Sequence, residues 1–215
     1  MTSPAARNDQ RRERIVAALR ACMLSRGFAA TSLSDIAREA GMSPSHLLYY
    51  FKGKNAILHC YWEAVAAGLL ERLREIEPAP LEQRLDLLAD VFFSGVVANQ
   101  TEVGIVLEIF GLAVHDKDLY RTKADFDRDI KTWIVRLLEQ CPRPLDSAIH
   151  AAAEAVYSLL MGLCTAAYFD ERLGPALRAA IITPLFRHDP DLAPRVLTTG
   201  LPDKAHQRLR PPARL

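Results

Sequence analysis

The stretch AGMSPSHLLYYFKGK, Ala40 to Lys54, packs a glycine, a Ser-Pro pair, a histidine, two adjacent tyrosines and two lysines into fifteen positions. Ser43-Pro44 is a helix start: a serine oxygen can accept the free N–H groups of the first turn, and proline fits the first helical position. At 100° per residue, Leu47, Leu48, Phe51 and the Pro44 ring fall on one side of this helix, and Ser45, His46, Tyr49 and Tyr50 on the other. A buried helix has no need of that polar-aromatic side, and an ordinary surface helix favours Lys, Glu and Ala. Hydroxyls and imidazole suit phosphate oxygens and base edges, and tyrosine rings can pack on sugars and thymine methyls. The plainer reading is that Tyr49 and Tyr50 brace a core and His46 is merely exposed, since amphipathic tyrosines often sit half buried.

The flanks favour the first reading. Upstream, Ile15, Leu19, Cys22 and Met23 form one stripe of a helix that ends at Gly27. TSLSDIAREAG then gives a short second helix. Ser32 caps it, Asp35 stands three residues on as in a capping box, Gly41 ends it, and Leu33, Ile36, Ala37 and Ala40 form its inner face. Helix, tight glycine turn and capped helix make a helix-turn-helix pattern, whose second helix enters the DNA major groove. Charge agrees: residues 1–54 hold nine Lys/Arg against four Asp/Glu, whereas residues 55–187 hold thirteen against nineteen. A basic end on an acidic body points to a polyanionic partner for that end.

The rest of the chain predicts an all-α protein of about nine helices. A long helix spans about Lys54 to Glu75, and further helices fit 81–98, 102–114, 117–140, 145–169 and 171–187, with breaks at Pro142, Pro144, Gly174 and Pro184. This divides the chain into a DNA-binding domain at 8–53, a helical body at 54–188 (a ligand-binding and dimerisation domain by the family resemblance given below), and a proline-rich appendage at 189–215. No apolar run reaches the roughly 18 residues that cross a bilayer, so no membrane partner is expected. The N-terminus lacks the apolar stretch of a secretion signal. Cys22, Cys60, Cys141 and Cys164 show no CxxC spacing, which suggests small buried hydrophobes in a reducing cytoplasm and neither a disulfide framework nor a metal site.

The run GFAATSLSDIAREAGMSPSHLLYYFKGKNAIL resembles the DNA-binding segment of the TetR family of bacterial regulators, with S-x-x-x-I-A, A-G-x-S, L-x-x-Y-F and a lysine ahead of Ile57 and Leu58 in register. That resemblance covers about the first sixty residues. It implies an all-helical homodimer with N-terminal helix-turn-helix domains and a C-terminal domain that binds a small molecule. By it, Thr31, Ser32 and Ser43 would meet phosphates, Ser45 and His46 would approach bases, Tyr49 would contact a base or the backbone, and Tyr50 and Lys54 would contact phosphates. Two positions depart from the family's pattern: Leu48 stands where members commonly have tyrosine, which assigns it to the core, and Pro44 where a basic or small residue is usual. Farther on, EIFGLAVHDKDLYR faintly resembles the subgroup that includes choline-responsive BetI-type repressors.

In the body, Ala148, Ala152, Ala155, Gly162 and Ala166 share one face of the 145–169 helix, while Tyr157, Met161, Cys164 and Tyr168 share the opposite one. Small residues let two helices approach closely, as a symmetric dimer requires. The Met/Tyr/Cys face suits either a cavity wall or plain core. Phe92, Val96, Val106, Phe110 and Trp133 are the other candidate lining residues. Glu108 is either a counter-charge for a ligand or, more simply, a solvated edge, and His115 is a helix-end residue. Enzyme motifs (GxSxG, a P-loop, GxGxxG, HExxH) are missing, the histidines have no ligand spacing, and no cofactor is implied. The expectation is a dimeric regulator, most simply a repressor, that binds an inverted-repeat operator in double-stranded DNA and is released by a small apolar or aromatic effector. The competing reading is a helical ligand-binding or protein-docking module whose helix-turn-helix serves another role.

Overall fold

The computed structural model describes residues 4–93, 100–140 and 149–186. Val96, Ala148, the breaks at Pro142 and Pro144 and the 189–215 appendage lie outside the described residues. Among those described, the chain is helical throughout and forms no strand. α1 (Pro4–Arg26) buries Ile15, Ala18, Leu19, Cys22 and Met23, a stripe at helical spacing. Gly27, at φ +75°, ends it in a left-handed conformation that glycine adopts without strain.

α2 (Leu33–Glu39) carries the expected capping box. Ser32 Oγ accepts from the Asp35 N–H at 3.1 Å, and Asp35 Oδ2 accepts from the Ser32 N–H at 3.0 Å. Gly41 turns the chain at φ +64°. α3 (Pro44–Tyr50) then starts under Ser43, whose Oγ accepts from the His46 N–H at 3.2 Å. Leu47 and Phe51, one turn apart, fix α3 inward on Ile36, Ala37 and α1.

α4 (Lys54–Ile76) is shared by both halves. Its first turns bury Ile57 and Leu58 with the three-helix head, and Trp62, Leu69 and Leu73 lie in the body. There, α5 (Leu81–Phe93) packs on α9 (Pro175–Phe186), and α7 (Lys117–Leu138) packs on α4, α6 (Gln100–Ala113) and α8 (Ile149–Phe169). The buried apolar side chains of head and body form one continuous cluster, so α4 cannot move at one end without repacking the other.

Beyond shifts of one or two residues at helix ends, the sequence reading departs from the structure at three places. α1 starts at Pro4, ahead of residue 8. The last helix starts at Pro175 and not 171, because Asp170 accepts from the Arg172 N–H and folds 170–174 into a turn, after which proline takes the first helical position. Pro184 does not break that helix, which continues to Phe186. α8 corrects a further expectation: it is long and apolar enough, by length and composition, to cross a bilayer, with a window of mean hydropathy 1.3. Alanine and glycine raise that value without adding bulk. The inward side of α8 carries Val156, Leu160 and Leu163, while Ala155, Gly162 and Ala166 are exposed.

Candidate functional site

Two sites stand at opposite ends of α4. On the head, α3 turns Ser45, His46 and Tyr49 to solvent, and Tyr49 is 80% exposed. An apolar ring that exposed gains nothing from folding. Tyr50 is half buried and fixed: Arg11 donates to its hydroxyl and Arg12 to its backbone carbonyl, both at 2.9 Å. The Tyr49 ring meets the Tyr50 ring edge-on at 5.1 Å, and the His46 ring lies 5.3 Å from it. An open trough between α1 and α3 is lined by Arg7, Asn8, Arg11, His46, Tyr49 and Tyr50. Arg7, Asn8 and Arg11 are thus part of this face, although sequence reading did not single them out. Their signal was the basic excess of the first 54 residues.

The other candidate DNA contacts are placed less openly. Ser32 and Ser43 are exposed but serve as helix caps. Thr31 is 2% exposed and its hydroxyl donates to Gly27 O at 2.7 Å. The Lys54 ammonium donates to Phe28 O and Thr31 O, each at 3.0 Å, and lies 4.4 Å from the Phe28 ring centroid. Lys54 therefore fastens the α1–α2 turn to the start of α4. Leu48 departs from its core assignment, being 49% exposed. On a helix of seven residues the inward stripe is only Leu47 and Phe51, and Leu48, turned 100° from Leu47, falls outside it.

In the body, a narrow apolar cavity of about 40 Å³ opens between five helices. Its described walls are Trp62, Val65 and Leu69 of α4, Phe92 of α5, Val103, Val106, Leu107 and Phe110 of α6, Phe126 of α7, and Met161, Cys164 and Thr165 of α8. Phe92, Val106, Phe110, Met161 and Cys164 are thereby brought together. Trp133, Tyr157 and Tyr168 are not. Trp133 borders a separate depression with Arg84 and Gln140. Tyr157 donates its hydroxyl to Asp127 on α7 and packs under Lys131, and burial with that carboxylate beside it raises the phenol's pKa. Tyr168 covers Gly104, where a Cβ would sit 2.9 Å from its ring. The bulky side of α8 is wider than one cavity: it meets α7 at Tyr157, the cavity at Met161 and Cys164, and α6 at Tyr168.

Between the two sites runs a set of polar contacts that sequence reading missed. Glu102 on α6 is 5% exposed; it accepts from Arg20 Nε of α1 at 2.7 Å and from the Tyr61 hydroxyl of α4 at 2.8 Å. Burial and that carboxylate push the Tyr61 phenol up. Glu108, left open between a solvated edge and a ligand counter-charge, lies outside the cavity's described walls, and its Oε1 accepts from the Phe28 backbone N–H at 2.6 Å. His59 of α4 stands 3.4 Å from Asp116, the N-cap of α7, whose carboxyl is held below the usual range by the Leu119 N–H first. Asp118 joins His59 and Asp116 within 4.8 Å. The helices that wall the cavity are therefore those that hold the head.

A three-helix head with an exposed reading helix, fixed to a helical body that holds a cavity, defines a one-component DNA-binding regulator. Family models agree at both ends: residues 15–60 match the bacterial regulatory proteins of the tetR family, and residues 80–195 match the BetI-type transcriptional repressor C-terminal domain. The chain belongs to the TetR family, with a C-terminal domain of BetI type, and is a transcriptional regulator and not an enzyme. It is 26% identical over 170 residues to the regulator PksA of Bacillus subtilis strain 168, covering 76% of this chain and 81% of that one. To BetI of Escherichia coli O157:H7 it is 27% identical over 154 residues, 69% of this chain and 76% of that one. In fold it is similar to a transcriptional regulator of Pseudomonas aeruginosa PAO1 (TM-score 0.75, 22% identity, 94% and 95% of the two chains). It is also similar to FadR of Bacillus subtilis in complex with stearoyl-CoA (TM-score 0.66, 19% identity, 81% and 97% of the two chains).

Proposed function

We propose that the protein is a cytoplasmic repressor that binds an inverted-repeat operator as a homodimer and lets go when a small apolar or aromatic effector enters its cavity. One observation carries the reading: α4 and α6 form most of the cavity wall, and the same two helices grip the head through Lys54, Tyr61, Glu102 and Glu108. A cavity of about 40 Å³ holds only a few water molecules. Ligand pockets for organic molecules run to about 300–1,000 Å³, so an effector must part these helices as it binds. Binding then favours the parted arrangement, which is what release of DNA requires; equal affinity for both arrangements would shift nothing. FadR of Bacillus subtilis, similar in fold, has been solved in complex with stearoyl-CoA, which supports a small-molecule ligand for this chain.

On the DNA, Ser45, His46 and Tyr49 read the major groove while Arg7, Arg11 and the capped helix ends of α2 and α3 meet phosphates. Lys54 contributes by fixing the head's turn. The dimer forms on the exposed side of α8 and α9, where Ala155, Gly162 and Ala166 lie with Phe169, Leu177 and Ile181, the last three exposed by 76%, 46% and 38%. Ala152, half buried against its own core, sits at the edge of that patch.

Selection of bound duplexes from a random pool should recover inverted repeats whose half-site centres lie roughly 34–36 Å apart. Gly162→Arg should abolish high-affinity binding by yielding monomers; Gly162 is exposed and a Cβ there would meet nothing within 4 Å, so the fold should survive. Recovered sites without two-fold symmetry, or a Gly162→Arg protein that sediments as an unchanged dimer, would sink this reading.

A further inference from the structure

Among the described residues, the polar groups left without partners around the cavity are hydrogen-bond donors. Trp62, 1% exposed and part of the cavity wall, has no acceptor for its indole Nε1–H. Arg178 on α9 is 4% exposed, and of its guanidinium only Nη2 has a partner, the Phe93 carbonyl at 3.1 Å; Nε and Nη1 have none. Its planar face lies 5.0 Å from the Phe93 ring centroid. Among the described residues no carboxylate pairs with it.

Arg178 stands directly behind the cavity wall. Phe92 precedes its carbonyl partner in sequence and lines the cavity. Cys164, also lining, donates to Phe92 O at 3.4 Å and has the guanidinium as a neighbour. Burial pushes the Cys164 thiol up to about 11, and Arg178 opposes that shift by its positive charge and by hydrogen bonding to the sulfur. The cavity's own polar side chains, Cys164 and Thr165, lie at this same α8 end, and the rest of the wall is apolar. A guanidinium cannot shed its proton to ease burial, and a buried charge with no counter-charge is strongly unfavourable. The protein therefore carries a cation whose anion is not among the described groups.

We propose that the effector is an organic anion: an apolar or aromatic body fills the cavity between Trp62, Phe110 and Met161, and its carboxylate passes Cys164 to pair with Arg178. This rests on the ligand-gated reading above and fixes the sign of the ligand's charge. A quaternary ammonium compound gains no counter-charge from these donors and is disfavoured beside the Arg178 guanidinium. The head of the ligand lands between α5, α8 and α9 while its body presses α4 and α6. Charge recognition and release of DNA are thereby separate parts of one molecule.

The test uses two matched series on the full-length protein: decanoate, decanol and decyltrimethylammonium, and 4-phenylbutanoate, 4-phenylbutanol and 4-phenylbutylammonium. Thermal stabilisation and release of a selected operator are read for each. In at least one series the carboxylate should act at concentrations about tenfold or more below the alcohol, the worth of a charge-assisted hydrogen bond, and the ammonium compounds should have no effect. Arg178→Met should erase the gap between acid and alcohol and leave the ligand-free melting temperature unchanged or higher. Arg178→Lys should keep a weaker preference for the acid. If alcohol or ammonium acts as well as the acid, the anionic assignment is overturned while ligand gating stands. If none of the six compounds binds, ligand gating in this cavity falls with it. If Arg178→Met melts several degrees lower without ligand, the guanidinium is already neutralised within the protein, and the assignment is likewise overturned.

Discussion

Head and body use their polar side chains in opposite ways. On the head, Ser45, His46 and Tyr49 point outward, His46 and Tyr49 touching only the edge of Tyr50 among the contacts described, and the buried set of the described residues is apolar apart from Thr31. In the body, Glu102 and Arg178 are the buried charged side chains of the described residues. One is satisfied by Arg20 and Tyr61 from the head side, and the other is largely unsatisfied. Exposed unpaired groups are what a surface needs to read another molecule, because their partners come with the ligand. Buried paired groups register the position of one helix against another, since shifting the helix strands them. Recognition of DNA and its control are therefore carried by different kinds of residue.

Glu102→Ala puts that contrast to its hardest test. It removes the acceptor of both Arg20 and Tyr61. Breaking a fully buried pair costs 3–5 kcal/mol, and because the Arg20 side chain is 40% exposed and can rehydrate, about 2–3 kcal/mol is expected here. For a chain of this size that is a fall in melting temperature of roughly 5–10 °C. The surviving folded protein should still bind operator but respond less to effector, since α6 has lost a hold on α1. A variant with normal stability and normal response would show that Glu102 registers nothing.

His46→Ala/Tyr49→Ala is the converse. These side chains touch little of their own fold, so the melting temperature should stay within a degree or two, while operator affinity falls by about 1–3 kcal/mol for a lost base contact. Binding to random DNA should change far less. Should the double variant bind the selected operator as the parent does, α3 would not be the reading helix.

The same contrast explains what the sequence disclosed. The capping box, Gly41, Ser43-Pro44 and the outward set on α3 are legible because each involves neighbours within a few residues. Leu48 was misassigned because a seven-residue helix buries a narrower stripe than the periodicity suggests. The body's helices were legible in number, but its contacts were not. Glu102 meets Arg20 across 82 positions and Glu108 meets Phe28 across 80, and nothing local marks such pairs. The α8 faces show the limit well: periodicity separated small from bulky residues correctly, yet only packing could say that Tyr157 faces Asp127 and Met161 the cavity.

The smallest effect sharpens the comparison from the side of pH. The Ser32 hydroxyl first, then its backbone N–H and Arg38, hold the Asp35 carboxyl down at about 2, against 3.8 for the free group. A carboxyl whose pKa is depressed by folding adds stability above its unfolded pKa, and that contribution fades as pH falls toward the folded value. Parent and Asp35→Asn should therefore differ by a constant, modest amount from neutral pH down to about 4, and converge between about 4 and 2. The group is exposed, so salt should shrink the difference too. Both tryptophans, Trp62 and Trp133, lie in the body, so amide exchange at Ile36 and Ala37 should report the loss of α2 while tryptophan emission does not change. Equal losses in both signals at matched pH would mean that the capping box stabilises the whole molecule, and that head and body do not open separately.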